Sequence, residues 1–144
     1  MLNKSVLWKA VSIAIVAALM LATLPTVTVF AENDVNKQVE KRWERAVDAF
    51  ARQAIGHKTA HNLVENWLKT HKNAKASEVA AVQRHLDVCN SSLAMAQATV
   101  SKHAGFDANG NVIDRALAVE SIKLLTKYVQ QHAASVRNLK SHIK

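Results

Sequence analysis

Residues 39–71 read VEKRWERAVDAFARQAIGHKTAHNLVENWLKTH and contain a seam of side chains spaced alternately four and three residues apart. The seam positions are Val39, Trp43, Ala46, Phe50, Gln53, His57, Ala60, Val64, Trp67 and His71. An average step of 3.5 residues predicts a long amphipathic helix that packs lengthwise against other helices. Gly56 interrupts the pattern, so either one helix or two helices joined at a kink would fit it.

Two further segments repeat this spacing. The second seam contains Val79, Val82, Leu86, Cys89, Leu93, Ala96, Val100 and His103, and the third contains Ala118, Ile122, Leu125, Val129, His132, Val136, Leu139 and Ile143. We expect Asp34, Ser77 and Asn111 to cap the three helices, and Gly105 to end the second. Because short links make successive helices neighbours, the sequence predicts an all-α, antiparallel up-down-up three-helix bundle.

Residues 1–31 have the layout of a secretory signal peptide. Lys4 and Lys9 form a basic head, an apolar run covers residues 10–24, and Ala31 supplies a small residue at a cleavage position. The run is shorter than the roughly 20 residues that span a bilayer comfortably. We predict cleavage after Ala31, a bundle domain of residues 32–144, and a secreted, periplasmic or cell-envelope location. The alternative is an uncleaved N-terminal anchor, which would supply the protein's one membrane contact.

The chain is strongly basic, with a net charge of +8. Of its 19 Lys and Arg residues, two lie in the signal segment and all 11 acidic residues follow it, so the predicted domain carries 17 − 11 = +6. Such a domain is attracted to anionic surfaces. Cys89 is the single cysteine, which excludes an internal disulfide and favours a small buried core residue.

Histidines are frequent on the seams and suggest a metal site. His57 and His61 have the four-residue spacing that allows two imidazoles to meet one ion. Folding three straight helices at the two links places His61 level with about Val88 and His85 level with His132. The combined set is His57, His61, His85, His132 and Cys89. Our main prediction is a protein without cofactors. The alternative is a bundle that binds a transition metal such as zinc or copper. Otherwise these histidines would confer sensitivity to pH.

The link before the last helix reads HAGFDANGNVID over residues 103–114. Asp107, Asn109 and Asn111 have the alternate spacing of the first ligands in a calcium-binding EF-hand loop, but Val112 and Ala118 replace the required glycine and glutamate. A tight turn built by Asn, Asp and Gly explains the same residues without an ion. The loop and the last helix resemble those of uncharacterised exported helical proteins of bacteria, and this resemblance implies no activity.

Two regions are predicted to contact a partner. Val39 and Trp43 lie where the long first helix would overhang the others, so either Phe106 and its loop or another protein helix would cover them. Lys72, Lys75, Arg137 and Lys140 gather at the other pole, which could dock on an anionic envelope polymer. A simpler explanation of these basic residues is that positive charge stabilises the C-terminal ends of helices. We expect no specific nucleic-acid binding, because no aromatic residues alternate with these basic ones.

Catalytic motifs are absent from the sequence. It contains no Gly-x-Ser-x-Gly elbow, His-Glu-x-x-His pair or phosphate-binding glycine loop. The sequence therefore favours a non-enzymatic, exported binding or structural protein that acts through a helical surface.

Overall fold

The computed structural model describes residues 27–143, which form three helices. They are α1 (Val27–Thr70), α2 (Ala76–Lys102) and α3 (Arg115–His142). Each helix packs against the other two, and α2 packs most extensively against α3. The predicted all-α three-helix bundle is confirmed. Between residues 27 and 143 the strand-like pairing is a single isolated bridge, which joins Phe106 to Val112.

The first helix continues without a break through Gly56. A Cβ atom at Gly56 would meet nothing within 4 Å, so packing does not require glycine there. Because α1 already begins at Val27, the prediction that Asp34 caps it is wrong.

Most of the predicted signal segment lies outside the described residues, and its cleavage stays a prediction. No helix within residues 27–143 is long and apolar enough to cross a membrane.

The ends of α2 and α3 differ in detail from those predicted. Lys75, not Ser77, is the N-cap of α2, and the Glu78 carboxylate accepts a hydrogen bond from its backbone N–H at 3.0 Å. Asp114, not Asn111, caps α3 and accepts from the N–H of Leu117 at 3.0 Å. Helix α2 ends at Lys102, three residues before the predicted stop at Gly105, because His103 takes the left-handed conformation with φ of 33°.

The bundle has two separate apolar cores. The loop-end core contains Val39, Trp43, Phe50, Ala96, Phe106, Ala118, Ile122 and Leu125. The link-end core contains Ala60, Val64, Trp67, Val82, Leu86 and Leu139. Both cores take residues from all three helices, so the apolar packing that joins the helices is interrupted midway along the bundle.

The loop after α2 covers the predicted contact surface of α1. Phe106 stacks on Trp43 with ring centroids 4.7 Å apart, and the side chains of Val39 and Trp43 are buried. Of the two alternatives, the protein's own loop is therefore the one that covers Trp43, and contact of this region with a partner helix stays a prediction. Nearer the start of α1, residues 32–35 are four consecutive exposed positions.

Candidate functional site

A polar layer separates the two cores. We call it the imidazole layer and define it by Gln53, His57 and His61 of α1, Asn90 of α2 and His132 of α3. His132 is 1% exposed, although imidazole is a polar, ionisable group. A buried polar group is tolerated when its hydrogen bonds are satisfied, so the partners of His132 decide how this layer behaves.

Both ring nitrogens of His132 have partners. Its Nδ1 lies 2.8 Å from Oε1 of Gln53, and its Nε2 lies 2.9 Å from Nδ1 of His57. A carbonyl oxygen only accepts, so Nδ1 of His132 carries the proton and donates to Gln53. The Nε2 atom of this neutral ring must then accept from the Nδ1–H group of His57. One of the two facing nitrogens must lack a proton, so the contact requires that His57 and His132 are not both charged.

A second contact extends the layer to α2. His61 donates from Nε2 to Oδ1 of Asn90 at 2.9 Å, and its ring packs edge-on against that of His57 with centroids 4.9 Å apart. Side chains from all three helices therefore meet at one level. The layer also favours one register of α1 against α3, because a shifted helix would leave the buried His132 unpaired.

The layer disfavours positive charge. Burial lowers the pKa of His132, and repulsion from a charged His57 lowers it further. Burial and repulsion from His61 likewise lower the pKa of His57, while contact with Asn90 partly opposes this shift. Both imidazoles are therefore held neutral at pH values where a free histidine begins to take up a proton.

The five predicted metal ligands do not come together at one point. His57, His61 and His132 share the imidazole layer, whereas the ring of His85 lies beside His142, with centroids 4.8 Å apart. Cys89 is fully buried, as expected for a core residue, and burial raises the pKa of its thiol. Among residues 27–143, no group of three or more His, Cys, Asp or Glu side chains is placed to hold a metal. Metal binding stays a prediction from the sequence.

The grouping was wrong because the link between α2 and α3 is not a symmetric turn. Gly105 packs directly against Asp114 and Ala118, so the first turn of α3 lies beside the end of the α2 segment. This places Ser135, and not His132, level with His85, whose carbonyl oxygen accepts a hydrogen bond from Ser135 at 2.7 Å. By contrast, α1 and α2 are close to their predicted register, since His61 meets Asn90.

The link itself has the geometry of a tight turn. Oδ1 of Asp107 accepts from the backbone N–H groups of Asn109 and Asn111 at 2.9 and 2.8 Å, and Oδ2 accepts from the Asn111 amide at 2.9 Å. These bonds lower the pKa of Asp107. The carboxylate oxygens that a calcium ion would need are thus engaged by the loop's own N–H groups, which matches the turn alternative; calcium binding stays a prediction from the sequence.

A basic pole lies beyond the link-end core. We define it by Lys72 and Lys75 in the first link and Arg137 and Lys140 near the end of α3, all of which are exposed. Val64 and Trp67 of α1, Val82 of α2 and Leu139 of α3 share one apolar core, so these segments end at the same pole. The predicted gathering of these cations is therefore present in the fold.

An open cleft of about 400 Å³ adjoins the basic pole. Trp67, His71, Ser77, Glu78 and His142 contribute to its lining. The ring of His71 stacks on Trp67 with centroids 5.0 Å apart, and its Nδ1 lies 3.1 Å from the Trp67 carbonyl oxygen. The cleft thus combines an aromatic wall with imidazole and hydroxyl groups that can bond to a ligand.

Sequence reasoning missed three participants. Gln53 occupies a seam position four residues before His57, so its polar side chain signalled a break in the apolar core. Asn90 lies outside the second seam, and nothing in its spacing identified it. The pairing of His142 with His85 depended on the register of the last link, which spacing alone did not determine.

The fold and these sites define a three-helix bundle with a buried imidazole layer and a basic pole. Comparison with known proteins finds no matching family model, no similar curated protein and no similar solved structure.

Proposed function

We propose that this chain is a non-enzymatic binding protein of an exported compartment that binds anionic polymers through its basic pole. The observation that carries the proposal is the exposure of Lys72, Lys75, Arg137 and Lys140 at one end of the bundle. Multiple exposed cations at one pole attract a polyanion and release its counterions on binding. The signal-like layout of residues 1–31 supports an exported location.

Helix dipoles explain only part of this charge. The C-termini of α1 and α3 lie at this pole, and cations there are favourable. Lys75, however, occupies the N-cap of α2, where the helix end is itself partly positive. Lys69 approaches Glu65 at 4.0 Å, but both groups are well exposed and the pair is weak. The excess of cations beyond dipole complementarity supports a ligand-binding role.

The arrangement of the titratable groups also favours binding over catalysis. His132 uses both nitrogens within the bundle, and Asp107 uses both oxygens within its loop. A general acid or base must instead reach a substrate with a free nitrogen or oxygen. We therefore assign these two groups structural roles.

The proposal predicts salt-sensitive binding of inorganic polyphosphate. Fluorescence anisotropy with labelled polyphosphate should show an affinity that falls steeply between 50 and 200 mM salt, linearly in a log–log plot. Reversing the four charges with Lys72→Glu, Lys75→Glu, Arg137→Glu and Lys140→Glu should weaken binding about 100-fold at the lower salt concentration, because most phosphate contacts would be lost.

A control with the same change in net charge separates the pole from the overall charge. Lys41, Lys58, Lys102 and Lys123 are exposed and lie in other parts of the bundle. Replacing all four with glutamate should weaken binding less than about fivefold, since only long-range attraction changes. Equal losses in the two variants, or no binding by the wild-type protein at 50 mM salt, would contradict the proposal.

A further inference from the structure

Besides the two apolar cores, side-chain hydrogen bonds attach helix α1 to the rest of the described chain, and each of them contains a histidine or a carboxylate. Within residues 27–143 these bonds join His57 to His132, Gln53 to His132, His61 to Asn90, and the Glu40 carboxylate to the N–H of Val112. Three of the four belong to the imidazole layer. Protonation of the His57–His132 pair would therefore act on the side-chain hydrogen bonds that hold α1.

The α2–α3 half of the protein is joined differently. Ser135 donates to the carbonyl oxygen of His85 at 2.7 Å, and Ser121 donates to that of Ala104 at 2.8 Å. Hydroxyl groups and backbone carbonyls neither gain nor lose a proton in mild acid. The hairpin formed by α2 and α3 should consequently keep its hydrogen bonds under conditions that disturb those of α1.

We propose that the imidazole layer is an acid-sensitive latch that releases α1 from the α2–α3 hairpin. When both rings are charged, neither of the facing nitrogens of His57 and His132 can accept, and two N–H groups lie face to face across 2.9 Å. The charge also enters a site that is 1% exposed. Opening of α1 relieves both costs, because water then solvates the charged rings.

The groups facing these rings do not compensate for the added charge. His61 faces them from α1 and repels a proton on His57, while α2 contributes the neutral amide of Asn90. The thiol of Cys89, which precedes Asn90 on α2, stays neutral in acid, and burial raises its pKa further. In the described part of the chain, no carboxylate contributes to the lowered pKa of either imidazole.

The direction of the pH effect follows from linkage. An opened imidazole takes up a proton near its ordinary pKa of about 6.5, whereas the closed layer resists it. The latch is therefore fully closed above about pH 7 and weakens as the pH falls below about 6.5 towards the lowered pKa values. Each such imidazole shifts the opening equilibrium by up to about tenfold per pH unit, and the two together by up to about 100-fold.

Hydrogen exchange of the full chain, with chelator present to exclude metal effects, tests the latch. We expect peptides from residues 46–66 of α1 to lose about 10- to 100-fold of their protection between pH 7.5 and 5.5, after correction for the intrinsic exchange rate. Peptides from residues 82–100 and 118–136 should change less than about threefold. Equal loss in all three helices, or no loss in α1, would overturn the proposal.

Two matched double variants identify the responsible imidazoles. His57→Leu with His132→Leu removes the titrating pair and should reduce the pH effect on α1 to less than about threefold. His85→Leu with His142→Leu removes the other close pair of histidines and should leave the effect intact. Loss of the pH effect in the His85/His142 variant but not in the His57/His132 variant would overturn the assignment. If the first variant does not fold, the difference in protection between α1 and the other two helices of the wild-type protein still decides the proposal.

Discussion

Replacing Gly105 with alanine is expected to destabilise the protein by about 2–5 kcal/mol. Gly105 has a φ of 89°, a conformation that costs an L-residue about 1–2 kcal/mol. Its new Cβ would also overlap the backbone nitrogen of Ala118 and lie 2.6 Å from the carbonyl oxygen of Asp114. Both neighbours are backbone atoms, so the first turn of α3 would have to move, which adds an overpacking cost of about 1–3 kcal/mol.

Urea unfolding followed by circular dichroism measures this loss, and Gly56→Ala is its matched control. Gly56 lies within α1 and has open space around it, so alanine there should stabilise the helix by about 0.5–1 kcal/mol. A Gly105→Ala protein as stable as the wild type would show that the loop does not pack against α3 as described.

Trp43→Ala is expected to cost about 3–5 kcal/mol, the range for removing a large aromatic side chain from a core. Trp43 is 7% exposed and stacks on Phe106, so its removal leaves a cavity where the loop, α1 and the loop-end core meet. The stacked geometry adds to the loss of buried area. Because Trp43 joins α1 to the loop, this variant also tests whether Phe106 and its loop cover the Val39 and Trp43 region of α1.

Ile55→Ala is the control for removing an apolar side chain from α1. Ile55 is 78% exposed, and its truncation should change the free energy of unfolding by less than about 0.5 kcal/mol. Comparable losses in the two variants would indicate that Trp43 is not buried against Phe106 in solution.

The spacing of apolar residues was sufficient to predict the fold class. Each seam repeats over several turns, and helix periodicity of that length has few alternative explanations. The short first link also determined the α1–α2 register well enough to bring His61 within two residues of its predicted level. The fold class and the α1–α2 register both depend on local helix geometry, which can be predicted from the spacing of residues in the sequence.

The candidate site depended on geometry that spacing does not contain. A twelve-residue link can reverse the chain at several points, and the packing of Gly105 on Ala118 selects one of them. That choice moved His85 away from His132 and paired it with His142. Asn90 entered the layer from outside the seam, because a polar side chain at the edge of a helix reaches a neighbour that helical periodicity does not identify.

The protonation state of His132 is the most direct test of a neutral imidazole layer. Long-range ¹H–¹⁵N NMR correlation spectra at pH 7.5 identify which ring nitrogen carries the proton. We predict a neutral His132 with its proton on Nδ1, which donates to Gln53, and no titration of this ring near pH 6.5 while the bundle stays closed. A proton on Nε2, a charged ring at pH 7.5, or a titration midpoint near 6.5 in the closed bundle would contradict the account.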